Sequence, residues 1–441
     1  MRTAASLRYI LPFALVAWPT FADPVVPECR AGAPTICILT DRDTPQALIA
    51  LTLPVGAADE AEGEHGIAHY VEHLTFRTRG VEDDEMTSAA SGIDSYGNAY
   101  TGSWATTYHW QVPAGRAAEA ARRAMAVLMP LDASAAAADE ERAIVARERE
   151  EREDSSGTRD GLTVDPVLYG GTPLARTVIG TADEIDALSL DTARAFHDRH
   201  YDRAGAVLIL AGDVEWADVE GLAESGTPSR RRAPRIVVSP AEPSQMSRED
   251  VVQRPERWQV SLIDLPHGSE TPPALAVVQS WLGSSLSGAP WPVLVRGRDD
   301  TGNAWADIYE VAPGIGGFAA GVTLRPGLPT ADLNAPWNAL RGLIDGLAQH
   351  GLDAKTVERL RIRLHRDELR TREDGILAAW SLIGSLEARE DIATWTSLPE
   401  RLAAVTPQDV NDVLSALATP RRSVTLDTLP ISPSSALETT P

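Results

Sequence analysis

The chain has 441 residues, of which 43% are apolar and 23% are charged, and its formal net charge is −23. This length corresponds to two or three domains, and the composition is that of a soluble globular protein with sizeable cores. The strong acidity excludes nucleic acids and anionic membrane surfaces as partners, because like charges repel.

The first 22 residues have the pattern of a secretory signal peptide. Arg2 and Arg8 form a positive region, the apolar residues 9–18 follow, and the small residue Ala22 ends the segment. The apolar run is too short to span a bilayer, so we expect cleavage near Ala22; an uncleaved N-terminal anchor is the alternative. We therefore expect a secreted, periplasmic protein without a membrane span in its mature form.

The two cysteines, Cys29 and Cys37, are a candidate disulfide. An even pair in an exported protein favours a bond, and Gly32 and Pro34 between them turn the chain back. Two free buried thiols are the alternative.

The first half of the chain alternates strand and helix patterns. Apolar or β-branched runs predict strands, and apolar residues at helical spacing predict helices. The predicted strands are 36–40, 47–54, a pair within 96–112, and 206–214. The predicted helices are 66–77, 115–129, 134–152 and 188–201, the last capped by Ser189 or Asp191.

The second half repeats this alternation after a segment rich in Pro, Ser and Arg. The predicted strands are 259–264, 317–324 and 423–428, and the predicted helices are 273–282, 331–349, 354–370 and 407–417. We therefore expect an α+β fold of two homologous α/β-sandwich units in tandem, each a mixed sheet with helices packed on one face. The expected divisions are a signal peptide 1–22, a first unit 23–225, a linker 226–247, a second unit 248–430 and a disordered tail 431–441.

One predicted helix carries residues suited to metal chemistry. His69 and His73 are four residues apart, which stacks both imidazoles on one helix face, where they can share a zinc ion. Glu72 lies near that face and can take a proton from zinc-bound water, as in the inverted zinc motif H-x-x-E-H. The alternative is a solvated helix face with ordinary His and Glu. A third ligand is needed, and the acidic helix offers Glu140, Glu141, Glu148, Glu150, Glu151 and Glu153.

The run GIAHYVEHLTFRTRG resembles the active-site helix of the pitrilysin/insulinase family of zinc metallopeptidases, which includes the mitochondrial processing peptidases. The resemblance implies that Glu148, 75 positions after His73, is the third zinc ligand. It also implies a second glutamate seven positions earlier, which is Glu141. Seven residues are two helical turns, so both glutamates share one helix face, and Glu141 is expected to orient a ligand or the substrate.

The resemblance extends to substrate binding. Residues 97–101 look like the family's substrate-binding strand, with Asn98 and Ala99 as key positions, and a plain hairpin is the alternative. Family members carry an Arg and a Tyr seven residues apart in the second half as a substrate clamp. Arg298 and Trp305 stand at those offsets here, and Trp lacks the tyrosine hydroxyl.

The sequence thus predicts an endopeptidase with one Zn²⁺ per chain, which hydrolyses peptides or small unfolded polypeptides with Glu72 as general base on zinc-bound water. The second half has no H-x-x-E-H motif and is expected to have no catalytic activity of its own. The resemblance also implies that a chain of two units is one subunit of the small type, which pairs with a second subunit as a homodimer or as a heterodimer with a homologous subunit. The alternatives are a non-catalytic subunit of a peptidase-like heteromer and a different zinc hydrolase, such as a cell-wall amidase.

Overall fold

The computed structural model describes residues 24–81, 96–229, 236–252, 254–266, 273–283, 290–327 and 332–431. The predicted signal peptide lies outside these residues, and so does the predicted tail beyond Ile431. Among the described helices, none combines the length and the apolar character that a bilayer crossing requires.

The first half contains one six-stranded mixed sheet and six helices in its described part. Its strands are β1 (Glu28–Arg30), β2 (Thr35–Thr40), β3 (Gln46–Leu53), β4 (Tyr96–Thr101), β5 (Thr106–Pro113) and β6 (Val207–Gly212). Its helices are α1 (Ile67–Thr75), α2 (Ala117–Ala126), α3 (Ala135–Glu153), α4 (Ser156–Leu168), α5 (Ala182–Ala187) and α6 (Leu190–His200). The sheet order is β1-β2-β6-β3-β5-β4, and only β2 and β6 run parallel.

The second half contains a five-stranded mixed sheet. Its strands are β7 (Ser244–Asp250), β8 (Glu256–Asp264), β9 (Thr301–Ala312), β10 (Ile315–Leu324) and β11 (Arg422–Pro430). Its helices are α7 (Pro273–Leu282), α8 (Pro290–Gly297), α9 (Asn334–His350), α10 (Ala354–Thr371), α11 (Gly375–Glu387), α12 (Ile392–Thr396), α13 (Leu398–Ala404) and α14 (Pro407–Ser415). The sheet order is β7-β11-β8-β10-β9, with β7 and β11 parallel.

The two sheets have the same topology once β1 is set aside. In each, the first strand pairs in parallel with the last, which is followed across the sheet by the second, fourth and third strands. This shared order confirms the predicted α+β fold of two similar units.

Each unit covers the outer face of the other unit's sheet with a helix. Helix α11 of the second half packs on outward side chains of β2, β3 and β6, such as Leu39 and Leu48. Helix α4 of the first half packs on β8, β10 and β11 through Val164 and Leu168. The inner faces are covered by each unit's own helices, as predicted. Each sheet is therefore covered on both faces, and the second cover comes from the other unit.

Both cysteines lie at the start of the first sheet. Cys29 on β1 faces Cys37 on β2 in the antiparallel register, and the two form a disulfide. The predicted pairing is therefore present in the structure.

Two parts of the segment between the units, residues 226–229 and 236–247, lie among the described residues. Ile236 and Val238 pack into the apolar layer between α4 and the second sheet. Strand β7 begins at Ser244, inside the segment 226–247 assigned to the linker. The domain limits drawn from the sequence stay a prediction.

Truncating Leu382 to alanine is expected to lower the free energy of unfolding by about 3 kcal/mol, because this side chain is fully buried between α11 and the first sheet. Leu377→Ala, on the same helix but 53% exposed, is the matched control and should change it by less than about 0.5 kcal/mol. Urea denaturation checks both. Equal effects of the two substitutions would contradict the packing of α11 on this sheet.

Candidate metal centre

The backbone at the start of helix α1 can adopt its conformation only with a glycine. Gly66, its N-terminal cap, has φ of 84°, and a Cβ there would lie 2.7 Å from the carbonyl oxygen of Ile179. The buried carboxylate of Glu60 accepts hydrogen bonds from the backbone N–H groups of Gly66 (3.1 Å) and Ala68 (3.0 Å). These oxygens satisfy free N–H groups at the start of the helix. Burial raises the pKa of the Glu60 carboxyl to about 8. The start of the helix is therefore held in one place.

His69 and His73 lie one turn apart on α1, with ring centroids 4.8 Å apart. Helix α3 crosses beside them and carries Glu148. Oε2 of Glu148 is 3.6 Å from Nε2 of His69 and 3.4 Å from Nε2 of His73. The three predicted ligand side chains therefore converge.

These separations fit a tetrahedral zinc site. Zn–N and Zn–O bonds of about 2.0–2.1 Å at tetrahedral angles separate the ligand atoms by about 3.4 Å. The ligand atoms of His69, His73 and Glu148 all lie within 4.8 Å of one another, and no other metal-binding group of this kind occurs among the described residues. Two imidazoles and a carboxylate are a donor set that zinc accepts.

Glu141 holds the outer nitrogen of His73. Its Oε2 is 2.9 Å from Nδ1 of His73, and its other oxygen accepts a hydrogen bond from Nε of Arg77 at 2.6 Å. With Nδ1 donating to Glu141, Nε2 points towards Glu148, and loss of the Nε2 proton leaves its lone pair available for a metal. The corresponding Nδ1 of His69 is buried and has no hydrogen-bond partner among the described residues.

The electrostatics of the site favour a cation. Burial and the neighbouring His73 lower the pKa of His69 to about 4. Burial also opposes protonation of His73, but hydrogen bonds to Glu141 and Glu148 outweigh it and raise the pKa of His73 to about 9. The hydrogen bond from His73 lowers the pKa of Glu148 to about 2. A positive charge, whether a proton or a metal ion, is therefore stabilised between the two carboxylates.

Glu72 connects this site to strand β4. It is 7% exposed, and its Oε2 accepts a hydrogen bond of 2.6 Å from the hydroxyl of Thr101. Burial raises the pKa of its carboxyl, and the bond from Thr101 offsets part of that rise. The carboxylate is therefore held beside His73 and next to the sheet edge.

Strand β4 forms the edge of the first sheet in the described part of the chain and pairs with β5 on its inner side. Asn98 is exposed on it, whereas Ala99 is 8% exposed and packs inward opposite Tyr108. The predicted substrate-binding strand therefore runs past Glu72.

Arg298 and Trp305 are not brought to this centre. Arg298 is bound to Asp300, with Nε donating to Oδ1 at 2.9 Å, and Trp305 on β9 lies against Gly321. Neither lines the cavity that opens beside α3 and β4, whereas Tyr309 and Val311, further along β9, do.

Two contacts of the site could not be predicted from the sequence: that of Glu60 with the start of α1, and that of Thr101 with Glu72. Glu60 lies in an acidic loop whose composition predicts only solvation, and Thr101 ends a strand motif that gives no indication of a contact with Glu72. Their roles depend on which backbone or carboxylate the fold brings to them.

The fold and the converging side chains define the class: a two-unit α+β protein with a His-His-Glu metal site. Residues 35–182 match the model of the insulinase family, peptidase family M16. An uncharacterized zinc protease of Streptomyces coelicolor is 26% identical over 380 residues, which cover 81% of this chain and 80% of that protein.

Solved structures have the same fold. A protease from Helicobacter pylori superposes with a TM-score of 0.78 at 18% identity, covering 92% of this chain and 100% of that one. The M16 inactive domain from Pseudomonas fluorescens has a TM-score of 0.73 at 15% identity, covering 92% and 98%. The family match over residues 35–182 supports the resemblance to the insulinase family found in the sequence, and the solved structures show that the fold is shared.

Proposed function

We propose that this chain is a zinc-dependent endopeptidase that hydrolyses peptides or small unfolded polypeptides. The observation that carries the proposal is the convergence of His69, His73 and Glu148, with Glu72 buried beside them and hydrogen-bonded to strand β4.

Three side chains of two helices would hold the metal. His69, His73 and Glu148 are its ligands, and Glu141 positions His73 through Nδ1. A zinc ion bound there supplies Lewis-acid chemistry for the scissile carbonyl and acidifies the attacking water.

Glu72 acts as the general base. Its carboxylate takes the proton of the attacking water and then returns it to the leaving amine. Thr101 donates to one carboxylate oxygen, which fixes the orientation of the group and leaves the other oxygen for the proton. The buried setting shields this proton transfer from bulk water.

Strand β4 holds the peptide. An extended substrate adds to the sheet edge by backbone hydrogen bonds, which tolerate many sequences. Asn98 contributes its exposed amide, and Ala99 keeps the strand close to the sheet. The scissile bond then lies beside Glu72, since Thr101 ends the same strand.

A second, homologous subunit completes the enzyme, as a homodimer or a heterodimer. Arg298 and Trp305 do not line the cavity beside the candidate metal centre, so a substrate clamp at these positions would have to act towards a partner's site. Size-exclusion chromatography with light scattering tests this: a chain that is monomeric and fully active would contradict the pairing.

The mature protein acts outside the cytoplasm, in the periplasm. The signal-peptide pattern of residues 1–22 and the disulfide between Cys29 and Cys37 support this location.

Metal removal is expected to abolish the activity. The purified chain should contain about one zinc ion by elemental analysis and cleave unstructured peptides; 1,10-phenanthroline should stop cleavage, and added zinc should restore it. A wild-type chain without zinc or cleavage, alone and with a co-expressed homologue, would favour the non-catalytic subunit.

A further inference from the structure

Arg389, which follows α11 in the second unit, has a backbone conformation that favours glycine. Its φ is 58°, and it is the one residue other than glycine with a positive φ in the described part of the chain. Its N–H donates to the carbonyl of Leu386 and that of Glu390 donates to the carbonyl of Ser385, both at 2.9 Å, which is a common way to end a helix. Glycine usually occupies this position, because a Cβ is strained there. An arginine here therefore indicates a role for its side chain.

The side chain of Arg389 crosses to the first unit. It is 2% exposed and forms an ion pair with Asp59, and its Nε donates to the carbonyl oxygen of Trp104 at 2.8 Å. Asp59 ends the short 3₁₀ helix Ala57–Asp59, and Trp104 lies in the turn between β4 and β5. One buried guanidinium of the second unit therefore binds two loops of the first.

These two loops also bind each other. The N–H groups of Ala57 and Ala58 donate to the carbonyl oxygens of Gly102 (3.1 Å) and Ser103 (2.9 Å). A Cβ on Gly56, which precedes them, would lie 2.3 Å from the carbonyl oxygen of Gly102. Because the backbones are in direct contact, a displacement of one loop displaces the other.

Each loop leads directly to the candidate metal centre. The residue after Asp59 is Glu60, which accepts hydrogen bonds from the N–H groups at the start of α1. The residue before Gly102 is Thr101, which donates to Glu72. Helix α1 also carries two of the three metal ligands. The contacts of Arg389 therefore bear on the metal-binding helix and on the general base.

We propose that Arg389 is a positioning residue for peptide hydrolysis: it fixes the loop before α1 and the turn after Thr101, and so keeps the metal ligands and Glu72 in their relative positions. Breaking a buried ion pair leaves an uncompensated charge, so the contact with Asp59 resists separation. The inference rests on the proposed peptidase activity and gives the second unit a part in it.

Replacing Arg389 by methionine tests the proposal, because methionine keeps part of the stem and removes the guanidinium. We expect kcat on a fluorogenic peptide to fall by about 10–100-fold, since Glu72 and α1 lose their fixed orientation. Zinc affinity should fall by about tenfold, at the lower end of the range for residues that support a ligand. Competition with a chromogenic chelator measures the affinity, and both assays are run well below the melting temperature of the variant.

Arg372→Met is the matched control. Arg372 is also a buried arginine of the second unit, paired with Glu368 and lying 3.8 Å from the ring centroid of Trp395. Its side chain donates to residues of its own unit. This substitution should lower the melting temperature, as Arg389→Met does, but keep kcat and zinc affinity within about twofold of wild type. Equal losses in the two variants would mean general destabilisation and would overturn the proposal.

Arg389→Gly separates the role of the side chain from that of the helix end. Glycine is the usual residue in this conformation, so this variant keeps the turn after α11 and relieves its strain. We expect the same losses of kcat and zinc affinity as with methionine. If Arg389 served only to end the helix, Arg389→Gly would keep both at the wild-type level, and the proposal would be wrong.

Hydrogen exchange separates this inference from the proposed function. In the zinc-free chain, Arg389→Gly should speed amide exchange in residues 57–75 and in the β4–β5 turn by about tenfold, and Arg372→Met should not. If wild type cleaves no peptide, the peptidase proposal fails, and the exchange rates still decide whether Arg389 holds the two loops. Unchanged exchange in both segments would refute that.

Discussion

Replacing Glu72 by glutamine is expected to reduce peptide hydrolysis by about 10²–10⁴-fold while leaving zinc bound. Glutamine keeps the size of the side chain and can still accept the hydrogen bond from Thr101, but it cannot take a proton from water. Since Glu72 is not among the three converging ligands, the metal site should stay intact. The measurements are kcat/KM on a fluorogenic peptide and the zinc content of the same preparation.

The control for Glu72→Gln is a variant that alters charge on the neighbouring acidic helix. Glu151→Gln lies on α3, exposed and outside the metal group, and should keep wild-type activity. If Glu72→Gln retained activity within tenfold of wild type with full zinc, another group would have to act as base. If it lost zinc as well, Glu72 would have to be reconsidered as a ligand.

Glu148→Gln is expected to weaken zinc binding far more than Glu141→Gln. Both residues are on α3, seven positions apart, but only Glu148 approaches both Nε2 atoms. Glu141 acts through His73, and loss of such a partner costs about 10–100-fold in metal affinity. Loss of a ligand removes a metal bond and a negative charge, so its effect should exceed that range. Competition with a chromogenic chelator measures both affinities.

Two results of this zinc-binding comparison would contradict the role of Glu148 as a ligand. Equal zinc affinities of Glu148→Gln and wild type would mean that the third ligand lies elsewhere. If Glu148→Gln and Glu141→Gln lost the same zinc affinity, Glu148 could not be distinguished as a ligand from Glu141 as a positioning residue. Glu151→Gln again provides the baseline for a neutralised glutamate on this helix.

The elements with strong periodicity were predictable. Helices α3 and α10 and strands β3 and β6 lie close to where the sequence indicates them, because a helix face or an apolar run is a local property. Ser189, predicted as one of two caps of α6, accepts the hydrogen bond from Thr192.

The helices that join the two units were missed. Helix α4 contains Gly161 and Pro166, which weaken its local signal, and α11 is apolar over most of its surface. Their stability comes from packing on the other unit's sheet rather than from local propensity. Strand β9 was not predicted either, because apolar and polar residues do not alternate clearly along it. In the sequence, this segment was considered only for its resemblance to a substrate clamp.

By itself, the sequence placed His69 and His73 on one helix face, because residues four positions apart on a helix share a face. It left six glutamates as candidates for the third ligand, and the choice of Glu148 came from the resemblance to the insulinase family. The tertiary structure alone decided what those faces meet: Glu148 reaches both imidazoles, Thr101 holds Glu72, and Glu60 holds the start of α1. It also decided that Arg389 of the second unit meets Asp59 and Trp104 of the first. Contacts between residues far apart in sequence depend on how whole helices and sheets pack, and no local pattern encodes them.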